Sequence, residues 1–480
     1  MSTTIFLIIY FIVAIALMGR LLLYGMRPTK TLAWLLAIFT IPIGGMLFYF
    51  IMGRNRRKRK FYKLKKTKEI SQYLAKVNEY YDSVGKTDQT LLPAPIRDQI
   101  KLVKLLTKSS KFLPTTGNDL RVLKNGPITF NAIFPAMEKA RYYINIQYYI
   151  FEDGKLAQQF LAILQQKAKE GVKVRFIYDH FGSRLLSRRY IKQLKKAGIE
   201  VYSFLPMRFG RLISSINYRN HRKIVIVDGA VAFTGGINVS DKYIDGHSVL
   251  GIWHDTHLQL TGPIVNSLQA VFAMDWSFAS GNDDVFSADY FLKKTEVGTS
   301  IAQTVASGPD SDFSSIQQLY FSIVNKAEKY VYIINPYIIP GESLLDALQV
   351  AALSGVDVRL LLSSNSDSHL VKWTVRSYFE DFLKAGVKIY LYPTVFLHSK
   401  VILSDDAITS IGTANLDIRS FEENYEVNVL IYDKRITADL KQDFLRDCKI
   451  SHQINYQDYL KRSKVTRLKE GIAKVFSPVL

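Results

Sequence analysis

The sequence predicts an α/β fold made of two lobes related by internal duplication, preceded by an N-terminal two-helix transmembrane hairpin. Strand-like and helix-like stretches alternate twice in the same order. Gly171, Gly198 and His221 recur as Gly355, Gly386 and His398, at offsets of 184, 188 and 177 residues. Such alternation builds a parallel-leaning sheet covered by helices. Two long uncharged runs come before it. A chain of 480 residues is also too long for one ordinary core. The expected division is a hairpin with a polybasic end over residues 1–60 and a helical linker over 61–115. The first lobe then covers 116–290, and the second covers 291–480 and ends in a basic helix.

The hairpin rests on length and charge. Ser2 to Gly19 is a run of 18 uncharged residues, and Thr31 to Met52 is another of 22. A helix needs about 20 apolar residues to cross the hydrocarbon. Pro42, Gly44 and Gly45 fall inside the second run, where a kink is expected rather than a break. Trp34 and Tyr49, near its two ends, suit the aromatic belts at the interfaces. Arg54, Arg56, Arg57, Lys58, Arg59 and Lys60 follow at once, against only Arg20, Arg27 and Lys30 around the connection. Positive charge gathers on the cytoplasmic side, so both ends of the hairpin and everything after residue 53 are expected there. No basic segment precedes the first run and no small-residue cleavage site follows it, which argues against a signal peptide.

Within the first half, Tyr143–Ile150 is rich in β-formers. Leu156, Phe160, Leu161 and Leu164 recur at helical spacing through Glu170. A strand through Phe176–Asp179, a helix from Ser187 to Lys196 and a strand from Gly198 to Tyr202 complete the series. The second half repeats it with a strand at Tyr330–Asn335, a helix at Glu342–Leu353, and strands opening at Gly355 and Gly386. The halves differ in one place: Gly198 to His221 is 23 residues, Gly386 to His398 only 12. The extra segment holds Met207-Arg-Phe-Gly-Arg-Leu-Ile213. Its mixture of apolar and basic side chains fits a lipid-facing loop, a substrate-tunnel wall or an ordinary insertion. The C-terminal stretch interleaves Lys461, Arg462, Lys464, Arg467, Lys469 and Lys474 with Leu460, Val465, Leu468, Ile472 and Val475. Two readings stay open for it, a helix lying on anionic lipid or one packed on the second lobe.

A net charge of +21 points to a polyanionic partner, nucleic acid or an anionic membrane. The basic residues cluster beside the apolar runs instead of forming a nucleic-acid stripe, which favours the membrane. The single cysteine, Cys448, excludes an internal disulfide and a cysteine-type zinc site.

The chemistry lies in a pattern that occurs twice, His-x-Lys-x4-Asp: His221, Lys223 and Asp228, then His398, Lys400 and Asp405. Each copy is followed by a glycine-led turn and an asparagine, Asn238 and Asn415, 17 residues after its histidine. Each motif reads as a strand whose alternation puts histidine and lysine on one face. A histidine near its ordinary pKa both attacks phosphorus and protonates a leaving alkoxide. Lys223, Lys400, Asn238 and Asn415 supply donors around the phosphoryl oxygens, with no metal required. A single copy would be a weak signal. Two copies in matched surroundings point to phosphodiester chemistry.

At these residues the chain resembles the phospholipase D superfamily and, within it, the bacterial cardiolipin synthases. The likeness extends to Thr31–Leu35, Ile41–Gly45 and Gly53-Arg54-Asn55 before the motifs. It continues through Trp253-His-Asp255-Thr-His-Leu258 and Gly262-Pro263, Leu416–Phe421 and Asn424–Asn428 after them. The resemblance implies two phospholipase D-like lobes with one joint site. It implies ping-pong transfer of a phosphatidyl group from one phosphatidylglycerol to another through a phospho-histidine, with no cofactor, no metal and no nucleic acid. By the superfamily's usual order His221 attacks and His398 acts as acid, then base. The resemblance also implies an acidic residue past each motif that orients the histidine of the other half. Asp255 and Glu426, 34 and 28 residues beyond their motif histidines, are the candidates. Asp228 and Asp405 belong to the catalytic motifs, with a structural role at the strand ends expected for both. His254 and His257 are not expected to take part. Water as acceptor would make the same site a hydrolytic phospholipase D. A membrane-tethered nuclease and a non-catalytic lipid-binding scaffold are the remaining readings.

Overall fold

The computed structural model describes residues 2–23, 28–41, 43–52, 92–206, 218–247, 250–291, 296–366, 368–393 and 395–477. The segment 207–213, the polybasic run 54–60 and linker residues 61–91 lie outside them. The chain forms two compact units, a small one at the N-terminus and the main body.

Among the described residues the main body is organised by one 16-stranded sheet. At its centre Pro114–Lys124 pairs antiparallel with Ser300–Ser307. Outward on one side run Thr256–Thr261, Val231–Gly235, Ile224–Val227, Tyr143–Tyr148, Lys173–Asp179 and Glu200–Phe204. The other side repeats the order with Asn424–Ile431, Ile408–Gly412, Val401–Ser404, Tyr330–Ile334, Asp357–Ser363 and Lys388–Tyr392. The outer three strands in each of these series are parallel, and the rest are antiparallel. The duplication read from the offsets is therefore a pseudo-twofold about the central pair.

Local sequence explains the elements. Tyr143–Tyr148 is buried at every position, as a parallel strand covered on both faces requires. The helix Lys155–Lys169 turns Leu156, Phe160, Leu161 and Leu164 inward. Ser187 caps the helix Arg188–Lys196 by accepting a hydrogen bond from the Tyr190 amide. One apolar cluster draws on both halves, with Ile224, Leu258, Phe272 and Trp276 joining Val427, Val429 and Phe444. That shared layer, with the continuous sheet, makes one compact body of the two halves.

Several expectations change. The described end of the expected linker is not a free connection. Its helix Ile100–Ser110 buries Leu102, Val103 and Leu106 in the core beneath the second half, because apolar residues at helical spacing demand a partner. The motif strands begin later than the alternation suggested, at Ile224 and Val401. His221–Lys223 and His398–Lys400 are irregular segments just before them.

The second apolar run is not one continuous helix. It forms two, Pro28–Thr40 of 13 residues and Gly44–Met52 of 9, joined through Ile43 at φ 63°. At about 1.5 Å per residue the longer reaches about 20 Å, short of a hydrocarbon core of about 30 Å. The two fold back on each other. The Trp34 and Tyr49 rings lie 5.5 Å apart, and a Cβ on Gly45 would sit 2.0 Å from the Ala37 carbonyl oxygen. In a straight helix residues 34 and 49 would be about 22 Å apart. The helix Ser2–Leu23 completes the unit. Its Ala14, Leu17 and Leu21 cluster with Ile38, Met46 and Tyr49. The Tyr10 hydroxyl donates to the Ile38 carbonyl at 2.8 Å, satisfying an acceptor left open near the helix end. Among the described residues no helix is long and apolar enough to cross a membrane. Cysteines at positions 34 and 49 are expected to form an intrachain disulfide on mild oxidation, read by mass spectrometry of the linked peptide. A continuous span would keep both thiols free.

Candidate active site

Each motif histidine is brought into place by the opposite half. Arg219–Asn220 pairs in parallel with Asn424–Tyr425, and the His221 amide then donates to the Tyr425 carbonyl at 2.9 Å. Symmetrically, His254 bridges to Leu397, and the His398 amide donates to the His254 carbonyl at 2.7 Å. Each orienting segment thus lies beside the histidine it serves, with its carboxylate one or two residues further on. His221 Nδ1 is 2.9 and 3.0 Å from the two Glu426 oxygens. His398 Nδ1 is 2.7 Å from Asp255 Oδ2. A carboxylate on Nδ1 holds the tautomer whose Nε2 carries the free lone pair.

The carboxylates are themselves held. Glu426 accepts from the Thr413 hydroxyl at 2.5 Å and from Asn424 Nδ2 at 3.3 Å. Asp255 accepts from the Thr256 amide at 2.7 Å. A Cβ on Gly236 would meet Asp255 Oδ1 at 2.1 Å, so the glycine of the first turn makes room for that carboxylate. Gly236→Ala is accordingly expected to displace Asp255 and lower turnover by about 10- to 100-fold, the usual loss for a disturbed outer partner. Wild-type turnover in that variant would show that the close approach does not matter.

Lys223 and Lys400 are fully buried. Lys223 Nζ donates to the His221 carbonyl at 2.6 Å, and Lys400 Nζ to the His398 carbonyl. Burial pulls the Lys223 ammonium down to about 7, with the nearby Lys400 charge adding to this and Glu426 opposing it. Burial likewise lowers His221 to about 4, against the pull of Glu426. His398 lies well below its ordinary value, first through burial and then through the Lys400 and Lys223 charges. Near neutral pH both imidazoles are therefore uncharged, and the lysine ammonium groups are what the site offers to an anion. The two motifs meet in one site, because the carboxylate that holds His221 accepts from Thr413 in the second motif's turn and the one that holds His398 lies against Gly236 in the first motif's turn.

Asp228 and Asp405 lie elsewhere, at the far ends of the motif strands, in left-handed turns at φ 52° and 54°. Asp228 accepts from the amides of Arg141, Tyr142 and Tyr143 at 2.7–2.8 Å, and Asp405 from those of Glu328, Lys329 and Tyr330 at 2.8–2.9 Å. Their part is to fix the start of the neighbouring strand. Asn238 accepts from the Ile150 amide at 3.2 Å, and its amide nitrogen is 3.4 Å from the Tyr243 hydroxyl. The Asn415 side-chain oxygen is buried with no donor among the described residues. His257 is buried and held neutral, its pKa driven to about 3 mainly by burial.

Sequence reasoning missed four side chains. The Tyr243 hydroxyl is 3.1 Å from His398 Nδ1 and 3.5 Å from Asp255 Oδ2. The Tyr149 ring meets the His221 ring edge-on at 4.6 Å and lies 5.3 Å from the Lys223 ammonium. Asp275 binds Arg222 through two contacts of 2.7 and 2.8 Å and accepts from Asn220 at 3.0 Å, while Asp179 accepts from the Asn220 amide at 2.9 Å. These two acids anchor the segment carrying His221. Tyr149 could have been suspected from its place just past a buried parallel strand, where such folds bind ligands. The other three carry no local signal.

A family model described as cardiolipin synthase, PLD-like domain matches residues 133–276 and 320–448, and a phospholipase D-nuclease N-terminal model matches 6–54. The chain is similar to the cardiolipin synthase of Geobacillus kaustophilus, with 39% identity over 95% of this chain and 89% of that one. It is also 41% identical to cardiolipin synthase 2 of Bacillus anthracis, over 95% of this chain and 87% of that one. Among solved structures, a phosphatidylserine synthase of Haemophilus influenzae matches at a TM-score of 0.60 with 13% identity, covering 80% of this chain and all of that one, a likeness of fold. The paired motifs, the fold and these matches place the chain in the cardiolipin synthase family of the phospholipase D superfamily.

Proposed function

We propose that this protein is a phosphatidyltransferase that joins two phosphatidylglycerol molecules into cardiolipin with release of glycerol. The observation that carries the reading is the pair of buried histidines, each held by a carboxylate from the opposite half, with a buried lysine on the backbone carbonyl of each. His221 Nε2 attacks the phosphorus of the first lipid while His398, which takes up a proton on Nε2 as the phosphodiester charge enters the site, gives that proton to the departing glycerol oxygen. A phosphatidyl group stays on His221, and His398, now neutral, takes the proton from the hydroxyl of a second phosphatidylglycerol. That oxygen attacks phosphorus and frees His221. Lys223 and Lys400 balance the charge on the phosphoryl oxygens throughout. One phosphoester is exchanged for another, so no nucleotide is needed to drive the reaction.

Purified protein in mixed micelles with labelled phosphatidylglycerol is expected to yield cardiolipin and free glycerol in equal amounts. Phosphatidic acid as the sole product would replace transfer by hydrolysis. The pH dependence follows from the lysine and histidine shifts. Below about 4 His221 binds a proton and loses its nucleophilic lone pair; above about 7 Lys223 loses the charge that faces phosphate. We expect kcat/KM to fall on both sides of that window. The bound phosphodiester adds negative charge, which raises both values, so the kcat profile is displaced to higher pH. Equal limbs in kcat and kcat/KM would contradict this coupling.

The protein is further proposed to be membrane-bound with its catalytic body on the cytoplasmic face. The fold-back of the second apolar run supports a re-entrant entry. A segment that returns to the face it left puts Arg20, Arg27 and Lys30 on the same side as Arg54–Lys60, in keeping with the positive-inside rule. In inverted vesicles a cysteine replacing Lys30 is expected to react with an impermeant maleimide as readily as one replacing exposed Lys101. Labelling of the former only from the opposite face would restore two full spans.

A further inference from the structure

The helix Lys464–Val475, begun by a Ser463 cap, is fastened to the body along one narrow face. Thr374 Oγ1 donates to the Ala473 carbonyl at 3.0 Å, the Tyr378 hydroxyl to Ser477 Oγ at 3.0 Å, and the Tyr459 hydroxyl to Glu470 at 3.1 Å. Arg462 binds Glu470 at 2.8 Å, and Lys474 binds Asp381 at 3.0 Å. These contacts set the rotation of the helix. Glu470 and Ala473 face the body. The opposite side carries Val465, Leu468, Ile472, Val475 and Phe476, all between 45 and 75% exposed. At about 100° per residue these five fall within roughly 100° of arc, the width of an ordinary buried stripe. A surface helix with nothing to cover would place polar residues there.

Charge identifies what covers it. By the same rotation Lys464 lies just beyond one edge of the stripe and Lys469 just beyond the other, where Lys469 also passes over the Trp373 ring at 5.6 Å. Arg467 is further round, and Lys461 just precedes the helix. An apolar strip with cations at both margins complements an acyl-chain layer beneath anionic headgroups. It does not complement a second copy of this basic chain, whose like charges would meet along the margins.

We infer that the helix Lys464–Val475 seats the catalytic body on an anionic bilayer, with the Val465–Phe476 stripe in the outer acyl region and the flanking lysines among the headgroups. The inference concerns the lipid surface the enzyme works on and does not depend on the transfer step. The sequence left a lipid-bound helix and a packed helix as alternatives. The structure makes them two sides of one helix.

The test places an environment-sensitive fluorophore on single cysteines replacing Val465, Arg467, Leu468, Ile472 or Val475 in the full-length protein; native Cys448 is buried. The protein is reconstituted in vesicles of phosphatidylglycerol and phosphatidylcholine containing acyl-chain nitroxide quenchers. Quenching and a blue shift are expected at Val465, Leu468, Ile472 and Val475 but not at Arg467. Pure phosphatidylcholine vesicles, high salt, or the K464Q/K469Q pair should each weaken the effect. Quenching equal at all five sites, or absent from Leu468 and Ile472 in anionic vesicles, would overturn the inference. So would a blue shift in lipid-free detergent that grows with protein concentration, since a second copy would then be the occupant. The pattern should persist when His221→Ala and His398→Ala are both present, so its failure is separable from failure of the transferase reading.

Discussion

Replacing either His221 or His398 with alanine is expected to lower phosphatidyl transfer by at least about 10^4-fold, with the fold and membrane attachment unchanged. Both side chains are almost fully buried, His221 against the Tyr149 ring at 4.6 Å and His398 against the Trp253 ring at 5.1 Å, so a thermal melt of each variant separates lost chemistry from lost packing. The double variant should be no worse than the worse single one, because the two act as a unit. The two positions should differ in what accumulates. Without His398 a slow first step can still leave label on His221, whereas without His221 there is no acceptor for the phosphatidyl group. Acid-quenched protein incubated with labelled lipid reads the difference. Label held by the His221→Ala chain and absent from the His398→Ala chain would reverse the assigned roles, and near-normal turnover in either would remove the two-histidine mechanism.

The second large effect is expected at the carboxylates. Glu426→Gln and Asp255→Asn keep shape and an acceptor oxygen but lose the charge on Nδ1, and each should cost about 10^2- to 10^4-fold in kcat. A structural role alone would lower stability and activity together at every pH. A positioning role adds a shift with a definite sign. Glu426 raises the His221 pKa, so without it the imidazole holds its proton still less tightly, and the acid limb of kcat/KM moves to lower pH. An unmoved limb with reduced thermal stability would leave Glu426 as scaffold only. The neighbouring Thr413 hydroxyl, 2.5 Å from Glu426, provides an internal comparison, since Thr413→Val loosens the carboxylate but keeps its charge and should not move the acid limb to lower pH.

What is legible in the sequence follows from repetition and from short-range periodicity. Helices such as Lys155–Lys169 and Gly341–Leu353 are visible there because the stripe that buries them recurs every three or four residues. The offset of 177 residues between the motif histidines is enough to mark a duplicated unit. Periodicity misleads where the chain leaves its own sheet. His221 and Lys223 alternate as a strand would, but Arg219 and Asn220 pair with the other half, and the regular strand starts only at Ile224. It also misleads in the second apolar run, since hydropathy registers burial and is silent about a chain that reverses between Thr40 and Gly44.

The reaction class, the two histidines and lysines, the duplicated α/β plan and the apolar N-terminus can all be read from the chain alone, because each is written within a few tens of residues. How those parts meet is a matter of tertiary packing. The contacts that complete the site span 205 residues from His221 to Glu426, 143 from Asp255 to His398 and 155 from Tyr243 to His398. Packing also assigns Asp228 and Asp405 to backbone amides 85 and 75 residues before them. Spacing in a chain fixes which residues share a strand or a helix face. Which distant residue lies opposite depends on how the two halves pack across their common sheet, and no local pattern encodes that.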